Sequence, residues 1–414
     1  MHSKSSSIFN ITVLVAALGY FVDIYDLLLF GIVRKASLRS LGLSEDLVTS
    51  QGEFIIGVQM AGLLVGGIIW GVMGDKKGRL SVLFGSIVLY SVANIINGFV
   101  QTPGQYALIR FVAGVGLAGE LGAGITLVSE LVSKEKRGLS TSLVAGIGLT
   151  GAVFAYFISQ NFDWRICYFI GGGLGFCLLL LRISVFESGL FTQLKEQNVQ
   201  RGNFLMFFSN KKRFKKYLLA ILIGLPSWYV IGVLITFSDK FSKAFGIAEE
   251  VSPAKATMYA YAAISVADVL TGLVSQWLRS RKKTLFIFYA FTIISIFFFF
   301  QQNSNSTPAS IYLVCAALGF GTGFWAIFVT MAAEQFGTNL RATAATTVPN
   351  MVRGSLPIIL LLFNGLQLLF PDPKSAAAYI NAAWITGTIV MIISIVAAWL
   401  TEETFGKDLD YVEA

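Results

Sequence analysis

Apolar stretches of about 20 residues recur along this chain from Ile8 to Leu400. About 20 residues is the length a helix needs to cross the hydrocarbon core of a bilayer. Spans are expected near 8–33, 51–73, 80–100, 105–131, 139–160, 165–185, 215–237, 255–278, 284–301, 309–333, 343–370 and 376–400. Only 13% of the residues are charged, where a soluble domain carries roughly 25%. The fold class is therefore an all-α membrane protein that crosses the bilayer repeatedly. No cleavable signal peptide is expected: the first stretch is too long, carries two acids, and no small-residue cleavage pattern follows it.

The formal net charge of +8 is distributed by side and is not a nucleic-acid signature. With the N-terminus inside, the inner loops hold about 21 Lys and Arg residues and the outer loops about 8, as the positive-inside rule requires. Both termini are then expected in the cytoplasm, and the cell inner membrane of a bacterium is the expected location. The spans divide six and six: 1–186, a linker at 187–214 ending in the basic run Lys211, Lys212, Arg213, Lys215 and Lys216, then 215–401 and a tail at 402–414. The linker reads as a solvated loop that also fixes topology. The acidic tail (Glu402, Glu403, Asp408, Asp410, Glu413) reads as solvated too. Cys167, Cys177 and Cys315 all fall in spans and lack metal-ligand spacing, so no metal and no cofactor is expected. The single histidine is His2, so a proton carried within the membrane needs a carboxylate.

Asp23, Asp26, Arg110 and Arg353 lie inside otherwise apolar spans. A charge at the membrane centre costs about 2.5–3.5 kcal/mol on insertion scales, and it persists where it faces a partner or a water-filled cavity. Counting at about 1.5 Å per residue puts Asp26 roughly 10 Å and Arg110 roughly 9 Å below the outer ends of spans one and four, so the two can meet. A free Asp titrates near 3.9; a partner arginine holds it charged, and its withdrawal into a dry pocket favours protonation. The alternative is a static ion pair. Asp23 sits one turn away, as a second protonation site, a substrate contact or a structural hydrogen-bonding residue. Glu120 is an alternative proton carrier. Arg353 and Asp268 lie at similar depth: Arg353 receives a substrate carboxylate through its two-pronged guanidinium, or it forms a neutralised pair with Asp268. Pro226, Pro349 and Pro357 are expected to kink their helices, and the run Phe297–Phe300 to face lipid.

The halves repeat each other. Glu130 and Arg137 close span four in "SELVSKEKRG", and Glu334 and Arg341 close span ten in "AEQFGTNLRA" at the same spacing. Glycine-rich helix precedes both, "GVGLAGELGAG" and "GFGTGFWA". No arginine or acid occupies the stretch of span ten that matches Arg110, so that charge is not part of the repeat. Such repeats build two bundles with a site between them near the midplane. The loop "GVMGDKKGR" after span two has a worn counterpart, "GLVSQWLRSRKK", in which Gln276 stands for Asp75. Asp75 can accept from a helix N-terminus or from a basic residue across the interface, latching one face shut; the simpler reading is a turn with topology-setting charge.

That loop resembles the signature loop of the major facilitator superfamily, over nearly the whole chain. The resemblance implies twelve helices in two pseudo-symmetric six-helix bundles, alternating access and transport of a small-molecule substrate. Within the superfamily, Asp23-Ile-Tyr-Asp26, then Arg110 with "GVGLAGELGAG", Glu130 and "KRG", then "DWRICYFIGG" with "ESGLF" (Glu187 to Phe191) resemble the metabolite–proton symporter family, carriers of organic acids and zwitterions. It implies that Asp26 and Arg110 are the proton-coupling pair. Arg353 departs from that family's pattern, while Asn350 keeps it. Trp228, Tyr229 and Trp325 fall on spans that line the cavity in this fold.

The combined expectation is proton-coupled symport of a small polar metabolite, an organic acid or zwitterion. Arg353, Asn350 and nearby aromatics hold the solute; Asp75, Arg79, Glu130, Arg137, Glu334 and Arg341 form a cytoplasmic gate. The partners are solute, protons and lipid, with no nucleic acid, and a monomer is expected. A sugar or polyol porter would want several mid-span Asn and Gln residues, and few are present. A drug or metabolite exporter shares these features. A sensor would carry an added cytoplasmic domain. An enzyme would need a nucleophile–base pair, a metal cluster or a cofactor loop.

Overall fold

Twelve helices long and apolar enough to cross a bilayer run through the computed structural model, which describes residues 11–132, 137–182, 202–408 and 411–413. They span Val13–Ser40, Ser50–Lys77, Arg79–Asn97, Pro103–Leu131, Gly138–Asn161 and Trp164–Leu181 in the first half. In the second half they span Lys211–Ile235, Pro253–Leu278, Arg281–Phe300, Pro308–Glu334, Arg341–Gln367 and Ala376–Leu400. Among the described residues there is no strand. His2, the "ESGLF" stretch from Glu187 to Phe191, most of the linker, Asp410 and the side chain of Arg137 lie outside the described part.

Each half packs as a bundle: the first span against the fifth and sixth, the second against the fourth, the eighth against the tenth, the seventh against the twelfth. Two seams join the bundles, the fifth span against the eighth and the second against the eleventh. Glycine allows these approaches. A Cβ at Gly71 would sit 3.0 Å from Thr343 Cα, and one at Gly146 would sit 2.9 Å from the carbonyl oxygen of Ser265. Any side chain at either position would force the bundles apart.

The glycine-rich stretches become breaks. The fourth span is two helices, Pro103–Leu117 and Glu120–Leu131, and the tenth is Pro308–Thr322 and Trp325–Glu334. In the seventh span the α-helix ends at Tyr229 and a π-helix runs Val230–Ile235. Pro226 lies just before this change; it can donate no backbone hydrogen bond, and π-turns interrupt helices at such places. The eleventh span breaks at Ser355, between Arg341–Gly354 and Leu356–Gln367.

Two expectations need correcting. The first helix continues to Ser40, well past residue 33, so Arg34 and Lys35 are helical; basic residues end an apolar run without ending a helix. The run Phe297–Phe300 does not all face lipid. Phe297 and Phe298 are half-exposed, whereas Phe299 is fully buried and Phe300 packs on Trp384 and Phe241. At about 3.6 residues per turn, four successive side chains cover the whole circumference of a helix.

Twelve crossings put both chain ends on one face, called here the terminal face; the opposite one is the far face. The expectation of a solvated acidic tail also needs correcting: at the terminal face Glu403 and Glu413 are docked, since partly buried donors there take carboxylate and carbonyl acceptors. Glu403 accepts from Ser280 Oγ and from the backbone N–H groups of Arg281 and Lys282, and these donors hold its carboxyl below the usual range. Its stabilising contribution is present above the ordinary Glu range near 4.3 and is lost as pH falls through the lowered value.

Candidate functional site

Between the bundles lies a small central cavity of about 20 Å³, lined by residues of the first, fifth, seventh, eighth, tenth and eleventh spans. Four buried aromatics wall it: Tyr20, Trp228, Tyr261 and Trp325. Arg353 projects into it, 2% exposed. Its guanidinium lies 5.7 Å from the centre of the Trp325 ring, and Nη1 donates to Asn350 Oδ1 at 3.2 Å. No carboxylate forms an ion pair with Arg353 among the described residues. Asp268 is engaged elsewhere: its Oδ1 accepts from Ala326 N at 3.0 Å, at the start of the second half of span ten. Three polar atoms of residues lining the cavity have no hydrogen-bond partner: Arg353 Nε, Trp325 Nε1 and Ser227 Oγ.

The remaining residues expected at a substrate site are placed differently. Tyr229 turns into the second bundle and donates to Ala383 O at 2.7 Å. Asn350 donates to Ala118 O at 2.9 Å, across the bundle interface at the break in span four, and to Thr346 O. Its carbonyl positions Arg353. Neither lines the cavity.

Asp26 and Arg110 are in contact. Arg110 Nη1 donates to Asp26 Oδ1 at 2.9 Å and Nη2 to the Asp26 backbone oxygen at 3.1 Å. Asn94 Oδ1 and Gln59 Oε1 take further bonds from the guanidinium at 3.2 and 3.3 Å, and the Tyr168 ring lies 5.5 Å away. Both partners are fully buried, and Asp26 Oδ2 is left without a partner. Asp23 is also fully buried, with neither carboxyl oxygen hydrogen-bonded. The structural hydrogen-bonding reading of Asp23 therefore has no support in this state. Its strongest electrostatic neighbour is Arg353, in the other bundle, followed by Glu120 and Asp26. Glu120 is paired with Arg182 at the end of span six, and Arg182 also donates to Leu83 O at 2.7 Å.

On the terminal face the bundles are bridged. Asp75 accepts from the backbone N–H groups of Ala342 and Thr343 at 3.1 and 2.8 Å, and from Thr343 Oγ1 at 2.6 Å. It therefore caps the helix that begins span eleven. Glu130 Oε1 accepts from Arg79 at 2.8 Å and, across the interface, from Arg341 at 3.1 Å. Glu334 pairs with Arg281 at 3.2 Å. The loop Gly337–Asn339 is held from two sides: Gly202 N donates to Asn339 O at 3.0 Å, and Thr338 N donates to Tyr411 O at 2.8 Å.

Toward the far face a second cavity, of about 160 Å³, opens between the bundles. Leu27, Trp228 and Ile231 line both cavities and separate them. Two ion pairs cross the bundles here, Lys35–Asp239 at 3.2 Å, with the aspartate mostly buried, and the half-exposed Lys240–Glu53 at 3.3 Å.

Sequence reasoning missed Arg182, Arg281, Gln59, Tyr20 and Tyr261. Arg281 had a signal: it stands one residue beyond the position that matches Arg79, and each arginine pairs with the acid closing the glycine-rich span of its own half. Gln59 also had one, as an amide in mid-span. Nothing local marks Arg182 as the partner of Glu120, 62 residues away.

Comparison with known proteins agrees with this architecture. The family model of the Major Facilitator Superfamily matches residues 11–361. A protein of Haemophilus influenzae named for metabolite transport is 26% identical, over 95% of this chain and 96% of its own length. The niacin transporter NiaP of Acinetobacter baylyi is 23% identical, over 98% and 96%. Among solved structures, the proton:xylose symporter XylE bound to 6-bromo-6-deoxy-D-glucose superposes with a TM-score of 0.77 at 16% identity, covering 97% of this chain and 98% of that one. With two six-helix bundles around a central cavity, and a family match that runs through eleven of the twelve spans, the chain belongs to the Major Facilitator Superfamily, a family of transporters and not of enzymes.

Proposed function

We propose that this protein is a proton-coupled symporter that brings a small organic acid into the cell, with the acid's carboxylate held by Arg353. The observation that carries this reading is the unpaired, buried guanidinium in an aromatic-walled cavity. A buried donor left unsatisfied costs about 1–3 kcal/mol, and three such atoms around one cavity suit a ligand that accepts hydrogen bonds. Planar aromatic walls suit a flat solute; the niacin carried by the Acinetobacter relative is a pyridine carboxylate. The cavity lining holds no Asn or Gln, which disfavours a sugar. Asp26 and Asp23 are the proton carriers in this reading, Asp23 because both its oxygens can take a proton without first breaking a bond. Lys and Arg cluster on the terminal face, which supports placing that face in the cytoplasm of a bacterial plasma membrane.

The reading is tested by uptake of nicotinate, nicotinamide and xylose into proteoliposomes with an imposed pH difference. Nicotinate is expected to accumulate and the two neutral solutes are not. One proton per monovalent acid moves no net charge, so about 1.36 kcal/mol is available per pH unit, roughly a tenfold accumulation. An imposed potential alone would then drive nothing. Uptake of all three at rates independent of pH would refute the proposal.

In the same reading the bridges at the terminal face are a latch that opens once per cycle. Asp75→Ala removes three hydrogen bonds and the anion at a helix N-terminus, a loss of about 1–2 kcal/mol. The expected result is at least tenfold faster maleimide labelling of a cysteine placed at Thr346, in a background with the native cysteines replaced. Labelling at the parent rate would show that Asp75 latches nothing.

A further inference from the structure

The cavity on the far side contains a cation that the reading above leaves unused. Arg34 lies on the first span, seven residues beyond Leu27 and so about 10 Å nearer the far face. It lines that cavity, is 6% exposed, and its Nε and Nη1 have no hydrogen-bond partner. Its stem lies against Gly52, where a Cβ would come within 2.4 Å of Arg34 Cδ. Two carboxylates act on Arg34 through space, Asp239 and Glu53. Asp239 meets Lys35 through Oδ2, its Oδ1 having no hydrogen-bond partner, and Glu53 meets Lys240; neither forms an ion pair with Arg34. The outer cavity therefore holds a guanidinium that is largely desolvated and has no ion-pair partner among the described residues. Keeping an unpaired charge buried is expensive, and a guanidinium is built to take a carboxylate through two parallel bonds.

We propose that Arg34 is an outer carboxylate station, which the solute occupies before it passes Leu27, Trp228 and Ile231 to reach Arg353. The partition residues line both cavities, so a solute leaving Arg34 meets the central cavity next. Gln59 lines the outer cavity and also accepts from Arg110 Nε, which places the station one side chain from the Asp26–Arg110 pair. This inference rests on the organic-acid reading, and it adds a sidedness that the central site alone would not have.

The test compares entry and exit. For nicotinate entering from the far side, in right-side-out vesicles, Arg34→Gln is expected to raise KM about tenfold with kcat within twofold of the parent. For exit from the terminal side, in inside-out vesicles, KM is expected to be unchanged. Arg34→Lys, which keeps the charge and loses the fork, is expected to fall between. Equal shifts on both sides, or none on either, would overturn the station. Equilibrium binding of labelled nicotinate to the purified protein separates this inference from the one beneath it. Binding weakened tenfold by Arg34→Gln, in a protein whose uptake ignores pH, keeps the station and defeats proton coupling. Uptake driven by pH with a KM indifferent to Arg34 does the reverse. A parent protein that binds no nicotinate defeats both.

Discussion

Asp26→Asn is expected to abolish accumulation of acid against its gradient while sparing exchange of internal for external solute. The expected loss in pH-driven uptake is at least a hundredfold, about 2.7 kcal/mol. The reasoning starts from the contact itself. Arg110 reaches Asp26 through Oδ1 and through the backbone oxygen, and Asn94 and Gln59 hold the same guanidinium. Asparagine keeps an acceptor for Arg110 but can neither carry the charge nor bind a proton. The arginine is thus left with four neutral acceptors and no counter-charge, enough to hold its position. Truncation to alanine would confuse the result, since breaking a buried pair costs about 3–5 kcal/mol in stability. Exchange needs only the loaded carrier to reorient, so it survives a lost proton site, whereas concentrative uptake does not. Asp23→Asn made in parallel assigns the proton between the two acids. Loss of pH drive in Asp23→Asn with retention in Asp26→Asn would move the coupling role one turn along the helix and leave Asp26–Arg110 as a structural pair. Retention in both would defeat carboxylate coupling in the first span.

The physics explains which parts of this site could be read in advance. Depth along a helix is a count, so Asp26 and Arg110 could be placed at one level from two span ends. Repetition is visible by eye, and the breaks in spans four and ten fall in the glycine-rich stretches that the two halves share. What a count along one helix does not hold is azimuth relative to a partner helix. Asn350 and Arg353 lie three residues apart on one helix, yet Arg353 faces the cavity and Asn350 is spent on the seam at Ala118. Asp268 lies at the depth of Arg353 and turns instead to cap the second half of span ten. Arg182 pairs with Glu120 because spans four and six both pack on span three, a fact of bundle packing that no spacing along the chain encodes. Arg34 was hidden for a different reason. It sits at the end of an apolar run and looks like a topology signal, and only the course of the helix beyond it makes it part of a cavity wall.

Arg353→Lys is expected to cut uptake of nicotinate by about a hundredfold through kcat/KM, and to leave the protein folded. Lysine keeps the positive charge but replaces a planar fork with a single, strongly hydrated ammonium. If the role of Arg353 were only to neutralise buried acids such as Asp23, whose strongest electrostatic neighbour it is, lysine would serve nearly as well and uptake would fall little. If it grips a carboxylate in two-point fashion while resting on the Trp325 face, both the geometry and the stacking are lost together, and the effect should exceed that of a point charge. Arg353→Gln sharpens the distinction, since it removes the charge and keeps the hydrogen-bonding reach toward Asn350. A carboxylate grip predicts that the Gln variant loses the acid at least as completely as the Lys variant, with the thermal midpoint of the purified protein within a few degrees of the parent for both. Loss of folding in Arg353→Gln, with nicotinate kinetics preserved in Arg353→Lys, would assign the guanidinium to balancing charge between the bundles and would leave the solute to be held by the aromatic walls alone.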